Sequence, residues 1–284
     1  MSNRLPHLLM PLEARRLIRK MRGGAQAHLI EAEDGQFYVV KFSNNPQHRR
    51  VLVNELIAGV FLQYLGISTP EMQIISITSE FLRRYPETGF QWDNQRIPAA
   101  PGWHWGSRYP GHPDRVSVYD YLPDVLLRRV TNLREFAGIL AFDKWMGNSN
   151  GRQAVFVRPG PQQPAGSGGM FFALMIDQGY VLNGPFWDFP DAPLHGLYHR
   201  PTVYEPVTGW ESFQPWLDRI LHFPVEVMDR ACKQVPLEWM EGEEAALEAV
   251  LEKLLERRQR VPDLIEQCRR ARAAWFPNWR ATAG

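Results

Sequence analysis

In the first third of the chain, short runs rich in apolar residues alternate with polar segments that contain turn residues. The dipeptide Asp34-Gly35 lies between a strand-like run that ends near residue 31 and the run 36–42. This arrangement predicts a β-hairpin, because Asp-Gly is typical of its tight turn. Residues 73–77 predict a further strand. Before the hairpin, apolar residues recur at helical spacing from Leu12 to Met21, which predicts a short helix.

Longer segments have the spacing of helices with one apolar face. Asn45, Pro46 and Gly66 predict the bounds of a helix of about 20 residues. A second helix is expected after Asn132 and Glu135, which have the spacing of a capping box. Two more helices are predicted near the carboxyl terminus, one from residue 243 and one that begins at Pro262.

Residues 78–115 are rich in proline, glycine and aromatic residues, which predicts a long loop. Such a loop can be a substrate lid or an excursion that its own aromatic side chains pack. The strand-like run 116–123 follows it and ends in a connector. We place a lobe boundary there, which gives an N-lobe over residues 1–122 and a C-lobe over residues 123–284.

A glycine-rich segment before the hairpin is the first candidate for ligand binding. It contains Gly23, Gly24, Ala25 and Gln26. Backbone N–H groups in such a loop can hold phosphate oxygens without a charged side chain. In the strand after the hairpin turn, period-2 alternation places Val39 and Lys41 on one face, where Val39 can pack on an adenine ring while Lys41 reaches the phosphates. The alternative is a hairpin with a flexible lead-in and a solvated lysine.

Glu55 lies on or beside the apolar stripe of the helix that ends at Gly66. A carboxylate near a buried face requires a cation, and Lys41 is the nearest candidate in the topology. We therefore expect a Lys41–Glu55 ion pair, which is the pair that orients the phosphate-binding lysine in kinases. The alternative is a solvated glutamate.

Three polar residues in the second half of the chain are candidates for phosphoryl transfer. Asp143 and Asn148 lie five residues apart after an apolar run. Residues 153–157 and 171–176 predict two strands joined by a proline- and glycine-rich loop at 159–169, and Asp177 follows the second strand, two residues before Gly179. An aspartate at the first position can accept the proton of an attacking hydroxyl, while the other two can hold a metal ion. Each of the three can instead cap a helix or close a turn.

Charge and composition exclude several classes of partner. Lys and Arg total 32 and Asp and Glu total 31, so the net charge of +1 offers no general attraction to nucleic acid or to an anionic membrane. No apolar run approaches the roughly 20 residues of a membrane helix, and the amino terminus has no secretory pattern. Cys232 and Cys268 are expected to be core thiols in a reducing compartment. We therefore expect a cytoplasmic protein.

The candidate residues occur in the order that kinases use: glycine loop, strand lysine, helix glutamate, D-x-x-x-x-N and D-x-G. The segments Gly-Gly-Ala-Gln, Val-Val-Lys-Phe, Phe-Asp-Lys-Trp-Met-Gly-Asn and Ile-Asp-Gln-Gly, together with the helix after Asn-Asn-Pro-Gln-His, resemble the HipA-like kinase family. The resemblance implies an α+β, bilobal protein-kinase-like fold with a β-rich N-lobe and a mainly helical C-lobe, related to HipA toxins and phosphatidylinositol kinases.

The resemblance also implies the ligands and the roles of the site residues. ATP and Mg²⁺ would be the cofactors. Lys41 would contact the phosphates, Asp143 would be the catalytic base, and Asn148 with Asp177 would bind Mg²⁺. The sequence departs from the family pattern at three points: residues 23–29 contain no serine, no His-Arg precedes Asp143, and Gln178 stands where many kinases have phenylalanine.

The expected function is a phosphotransferase that moves the γ-phosphate of ATP to a hydroxyl, with a protein as the acceptor. One alternative is a catalytically inactive nucleotide-binding module that acts through partners. Another is a nucleotidyl transferase, because the same cradle can hold ATP in a different register.

Overall fold

A closed β-barrel forms the first part of the fold in the computed structural model, which describes residues 9–158 and 170–280. Its strand order is β1-β2-β3-β7-β4, and the parallel pairing of β1 with β4 closes it. The strands are β1 (Leu12–Lys20), β2 (His28–Ala32), β3 (Phe37–Lys41), β4 (Met72–Ile77) and β7 (Gly102–Arg108). Alternate side chains, among them Ile30, Tyr38, Val40 and Ile75, fill an apolar cluster in this part.

The hairpin predicted at Asp34-Gly35 is confirmed. Gly35 has φ 72°, and its N–H donates to the Ala32 carbonyl over 3.0 Å. Glycine adopts this left-handed conformation without the steric cost that a Cβ atom brings. The turn therefore fixes the register in which His28 lies opposite Val40.

The prediction of a helix before the hairpin is wrong, because β1 occupies this segment. Its pairing with β2 is irregular at two places, between Ala14 and Arg16 and between Leu17 and Arg19. Such irregularities break the strict alternation of a strand, so that apolar residues fall at spacings that resemble a helix. Pairing with β2 on one edge and β4 on the other decides the conformation.

The prediction of a long loop over residues 78–115 is also wrong. This segment contains α2 (Ser79–Arg84), the hairpin of β5 (Gly89–Trp92) and β6 (Gln95–Pro98), and then β7. Gly106, one of the glycines of this segment, lies inside β7, where a Cβ atom would approach Ile75 Cγ1 to 2.7 Å. Glycine in a strand often marks such a close approach.

Helix α1 (Arg50–Leu65) is buried on nearly all sides and contacts β7 as well as the helices that follow. It ends at Gly66 in the left-handed conformation, as predicted. Its start was predicted too early, because Asn45 does not cap it. The Asn45 amide instead donates to the Ala25 carbonyl over 2.7 Å and accepts from the Gln47 N–H over 2.8 Å.

The second part of the fold is mainly helical. Its central helix, α4 (Glu135–Met146), lies as predicted, but the capping box does not form. Asn132 binds the Ala173 backbone through two hydrogen bonds of 2.8 and 2.9 Å, and Glu135 accepts from the Ser68 N–H. The elements before and after α4 are α3 (Asp124–Leu127), the sheet of β8 (Val118–Tyr119), β9 (Gln153–Val157) and β10 (Phe172–Ile176), and the helices α5 (Trp216–Leu221), α6 (Val225–Gln234), α7 (Leu237–Met240), α8 (Glu244–Arg257) and α9 (Val261–Ala271).

The helices predicted from residue 243 and from Pro262 are confirmed as α8 and α9. Cys268 on α9 is fully buried, as expected, whereas Cys232 on α6 is only half-buried. The proline- and glycine-rich loop predicted at 159–169 lies outside the described residues. Within the described ranges, no helix is both long and apolar enough to pass through a bilayer.

His104 on β7 should make the stability of the fold depend on pH. Its buried ring accepts from the Ser43 N–H at Nδ1 over 2.9 Å and donates from Nε2 to the Ala100 carbonyl over 3.0 Å. Burial lowers the pKa of His104 from 6.5 to about 4. In the unfolded chain His104 therefore binds a proton below about pH 6.5, whereas in the folded chain it does so only below about pH 4. Stability is consequently lost as the pH falls from about 6.5 to about 4.

We expect the free energy of unfolding to fall by roughly 3 kcal/mol more in the wild type than in His104→Gln between pH 7 and pH 4. Urea unfolding of both proteins across this range measures the difference, and the variant controls for all other titrating groups. Parallel pH profiles would contradict the assignment.

Candidate active site

Lys41 lies at the centre of a charged cluster that three distant elements build. It ends β3, and its ammonium binds Glu55 Oε1 of α1 and, over 2.6 Å, Oδ1 of Asp177, which follows β10. Glu55 is fully buried, and the Lys41 side chain is 10% exposed. The expected Lys41–Glu55 ion pair is therefore present, and Asp177 joins it.

The electrostatics of the cluster keep Lys41 and Asp177 in their charged forms. Burial lowers the pKa of Lys41, but the Glu55 and Asp177 carboxylates outweigh burial and hold that pKa above its ordinary value. The Lys41 ammonium in turn lowers the pKa of Asp177, against the opposing effect of burial. The cluster thus presents a cation and an anion side by side at neutral pH.

The backbone after β10 explains why Asp177 and Gly179 are spaced as they are. Asp177 has φ 62°, a left-handed conformation that is uncommon outside glycine. The chain then brings the Gly179 N–H to Glu55 Oε1 over 3.0 Å. A Cβ atom at residue 179 would lie 2.4 Å from Val51 Cγ1, so α1 packs directly on this glycine.

Two buried polar atoms beside Lys41 have no hydrogen-bond partner among the described residues: Glu55 Oε2 and Trp105 Nε1. Trp105 pairs with Lys41 across β7 and β3, and the Lys41 ammonium lies 5.6 Å from the centre of the indole ring. Sequence reasoning missed Trp105, because its segment was interpreted as a loop. Most buried polar groups are hydrogen-bonded, so each of these two atoms can bind a water molecule or a ligand.

The glycine loop is held in place from two sides. Gln26 donates to the Gln91 carbonyl over 2.7 Å, and its side-chain oxygen accepts from the Gln91 N–H over 2.7 Å and from the Lys20 ammonium over 2.6 Å. Asn45 donates to the carbonyl of Ala25, the neighbouring loop residue. Gln26 therefore braces the loop against β5, which sequence reasoning could not foresee, because 65 residues separate the two glutamines.

Gly23 and Gly24 stand in this loop between β1 and β2, with Gly23 at φ 118°. No heavy atom lies within 4 Å of the place where a Cβ atom at Gly23 would be. Val39 is half-buried in an apolar cluster with Leu29 and Phe37. The backbone of the loop thus borders open space, and an apolar surface lies on the same strand as Lys41.

Asp143 lies in the last turn of α4 rather than in a loop. Its carboxylate is fully buried, and Arg152 binds both oxygens, with a distance of 2.8 Å from Nε to Oδ2. Arg152 also donates to the Ile176 carbonyl over 2.9 Å and to the Gln178 side chain over 2.5 Å. The guanidinium therefore joins Asp143 to the residues on either side of Asp177.

Asn148 uses both ends of its amide inside this second cluster. Its nitrogen donates to Asp143 Oδ1 over 3.0 Å, and its oxygen accepts from the Asn150 N–H over 3.0 Å. No hydrogen bond joins Asn148 or Asp143 to Lys41, Glu55 or Asp177. The structure thus forms two groups, the Lys41 cluster and the Asp143 cluster, with Arg152 between them.

Gln153, the first residue of β9, contacts Asp177 where Asn148 was expected. Its side-chain nitrogen donates to Asp177 Oδ2 over 2.7 Å. The register of β9 with β10 places Gln153 opposite Ile176, the residue before Asp177. Sequence reasoning predicted both strands but not their register, so it missed this residue.

Residues 15–155 match the sequence model of the HipA-like kinases. This part of the chain belongs to the HipA-like kinase family. The HipA-like match spans Lys41, Glu55, Asp143 and Asn148, whereas Asp177 lies beyond it. No curated protein sequence matches the chain significantly.

Solved structures similar to this chain include two of the Golgi casein kinase. The first has a TM-score of 0.52 and 12% sequence identity, over 93% of this chain and 75% of the kinase chain. The second, solved with Mn and ADP bound, has a TM-score of 0.52 and 10% identity, over 92% and 74% of the two chains. At identities this low, the similarity shows only that the folds are alike. The fold of this chain is therefore kinase-like.

Proposed function

We propose that this protein is an ATP- and Mg²⁺-dependent phosphotransferase that moves the γ-phosphate to a hydroxyl of a protein. The observation that carries the proposal is the convergence of Lys41, Glu55 and Asp177, which come from β3, α1 and the end of β10. The fold would be bilobal, with the barrel in the N-lobe, the helices in the C-lobe and the boundary near residue 122.

Different groups of the chain would bind different parts of the nucleotide. Backbone N–H groups of Gly23 and Gly24 would cradle phosphate oxygens, and Val39 would pack on the adenine. Lys41 would release Asp177 and bind the phosphates, while Glu55 keeps the ammonium in place. Because Lys41 exchanges one anion for another, it stays paired throughout.

The residues present fit a divalent cation. Among the described residues, Glu55 Oε2 is buried without a partner and Asp177 Oδ2 has only the Gln153 amide, so carboxylate oxygens of the kind that Mg²⁺ and Mn²⁺ prefer are available. The described residues hold no cluster of three acidic, cysteine or histidine ligands, and Mg²⁺ commonly takes only one or two carboxylates together with substrate phosphates. Asp177 would be the main protein ligand. The bound cation would neutralise charge on the phosphates.

The proposal also makes Asp143 the base and Asn148 a second cation ligand. These two roles require a change of conformation near both residues. Arg152 occupies both Asp143 oxygens, and the Asn148 oxygen accepts from Asn150. Residues 147–152 would have to rearrange when nucleotide and acceptor bind, so that the Asp143 carboxylate faces the hydroxyl. Catalytic hydrogen bonds often form only in the substrate complex.

The binding of both Asp143 oxygens by Arg152 favours one alternative, an inactive nucleotide-binding module. If Arg152 never releases Asp143, the Lys41 cluster can still bind ATP without transferring phosphate. A nucleotidyl transferase is the other alternative, since the cradle does not itself determine which phosphorus atom is attacked.

Incubation of the full chain with ATP and Mg²⁺ separates the three possibilities. Calorimetry measures ATP binding, and chromatography and intact mass measure the products on the protein itself and on casein as a probe acceptor. We expect Mg²⁺-dependent binding, ADP release and phosphate adducts, all lost in Asp177→Asn. Binding without turnover would favour the inactive module, AMP adducts would favour nucleotidyl transfer, and absence of binding would overturn the proposal.

A further inference from the structure

A groove of about 480 Å³ lies between α6, α7 and α8, apart from every residue of the candidate active site. Its floor is apolar, with Met228, Val235, Leu247 and Leu251 buried. At its edge, Leu237 is 79% exposed. The volume of the groove and its mostly apolar lining lie in the range that is common for binding sites.

The rim of the groove is acidic. Asp229 on α6 and Glu244, Glu248 and Glu252 on α8 line it, and no lysine, arginine or histidine of the described residues does. The three glutamates are spaced four residues apart and therefore form one row along α8. None of these four carboxylates has an ion-pair partner within residues 9–158 and 170–280, although the chain as a whole carries a net charge of +1.

We propose that this groove binds an amphipathic helix of a protein partner, with leucine-like residues on one face and lysine or arginine along its sides. Helices that dock in grooves place apolar anchors at i, i+3, i+4 and i+7, which suits the floor. Basic residues beside those anchors would meet the unpaired row of glutamates, and complementary charge selects such partners.

The acidic rim also argues against other occupants. A second copy that presented the same groove would bring two rows of carboxylates together, and like charges across an interface repel. An anionic membrane surface would be repelled for the same reason. A basic helix is the occupant that the charge pattern favours.

Helix α7 has a second face that contacts the barrel. Glu238 Oε1 accepts from the Trp103 N–H over 2.8 Å, and Trp239 Nε1 donates to the Trp103 carbonyl over 2.9 Å. Leu237 and Met240 face the groove instead. The docked helix would therefore contact α7, which binds the start of β7 through Trp103. It would not contact the residues of the Lys41 cluster.

A fluorescent peptide of leucine and lysine tests the proposal, with about 16 residues so that its helix, at ~24 Å, matches α8. The control peptides carry glutamate in place of lysine, or the same residues in scrambled order. Anisotropy titrations use the full wild-type chain and three variants: Glu248→Lys and Leu237→Ser in the groove, and Glu80→Lys at an exposed site on α2, which does not line the groove.

We expect the lysine peptide to bind at least about tenfold more tightly than either control peptide, a difference of ~1.4 kcal/mol. Glu248→Lys and Leu237→Ser should each weaken binding about tenfold, added salt should weaken it, and Glu80→Lys should leave it unchanged. Leu237 is exposed, so its variant keeps the test valid should Glu248→Lys fail to fold.

Three results would overturn the proposal. The first is equal affinity for the lysine and glutamate peptides, and the second is equal affinity of Glu248→Lys and Glu80→Lys for the lysine peptide. The third is a groove variant that changes the sedimentation of the protein alone or its binding to anionic vesicles while peptide binding stays the same, which would assign the groove to a second copy or to a membrane.

Discussion

Replacement of Lys41 by methionine should lower ATP turnover at least about 100-fold, because removal of one preorganised charge from a dry active site has an effect of this order. The variant should also lose about 3–5 kcal/mol of stability, since Glu55 stays buried without its cation. Steady-state kinetics and urea unfolding measure the two effects. Lys253→Met, at an exposed site on α8, is the matched control and should change neither.

A double variant separates catalysis from folding in this prediction. Lys41→Met combined with Glu55→Gln removes both charges, so it should regain much of the stability but none of the turnover. If the double variant also regained turnover, Lys41 would not act on the phosphates. Turnover of the single variant within about threefold of the wild type would refute the catalytic role outright.

Replacement of Arg152 by methionine should lower the free energy of unfolding by about 3–5 kcal/mol, because Asp143 would remain buried and unpaired. Both side chains are fully buried, and the guanidinium also binds the Ile176 carbonyl. The control is Arg128→Met, whose ion pair with Glu205 lies half exposed at the surface and should therefore contribute much less to stability. Urea unfolding compares the two variants.

The neutral variant Asp143→Asn then tests whether this carboxylate is also a base. A general base contributes about 10²- to 10⁴-fold to a rate, so turnover should fall by at least about 100-fold. If turnover persists while Arg152→Met still unfolds easily, Asp143 positions Arg152 and the loop and does not accept the proton. Equal stability of Arg152→Met and Arg128→Met would show that the buried pair contributes nothing.

Local signals in the sequence predicted much of the fold. The Asp-Gly turn, the glycine that ends α1, the apolar face of α4 and the helices α8 and α9 each depend on residues close together in the chain, which propensity and periodicity describe well. The segment of β1 failed this reasoning, because its irregular pairing gave it a helical spacing, and β7 failed it because Gly106 was interpreted as a loop residue.

The order of chemical groups along the chain determined the candidate site in outline. It predicted the Lys41–Glu55 ion pair, which the structure contains, and it made Asp177 a cation ligand together with Asn148. The contact of Asp177 with Lys41, 136 residues away, was not predicted. The burial of Asp143 under Arg152, the contact of Gln153 with Asp177 and the acidic groove came only from the tertiary structure. These features depend on which groups from distant parts of the chain are buried against each other and on the register between β9 and β10. Neither the residue type nor the local spacing in the sequence determines which distant residue becomes the partner.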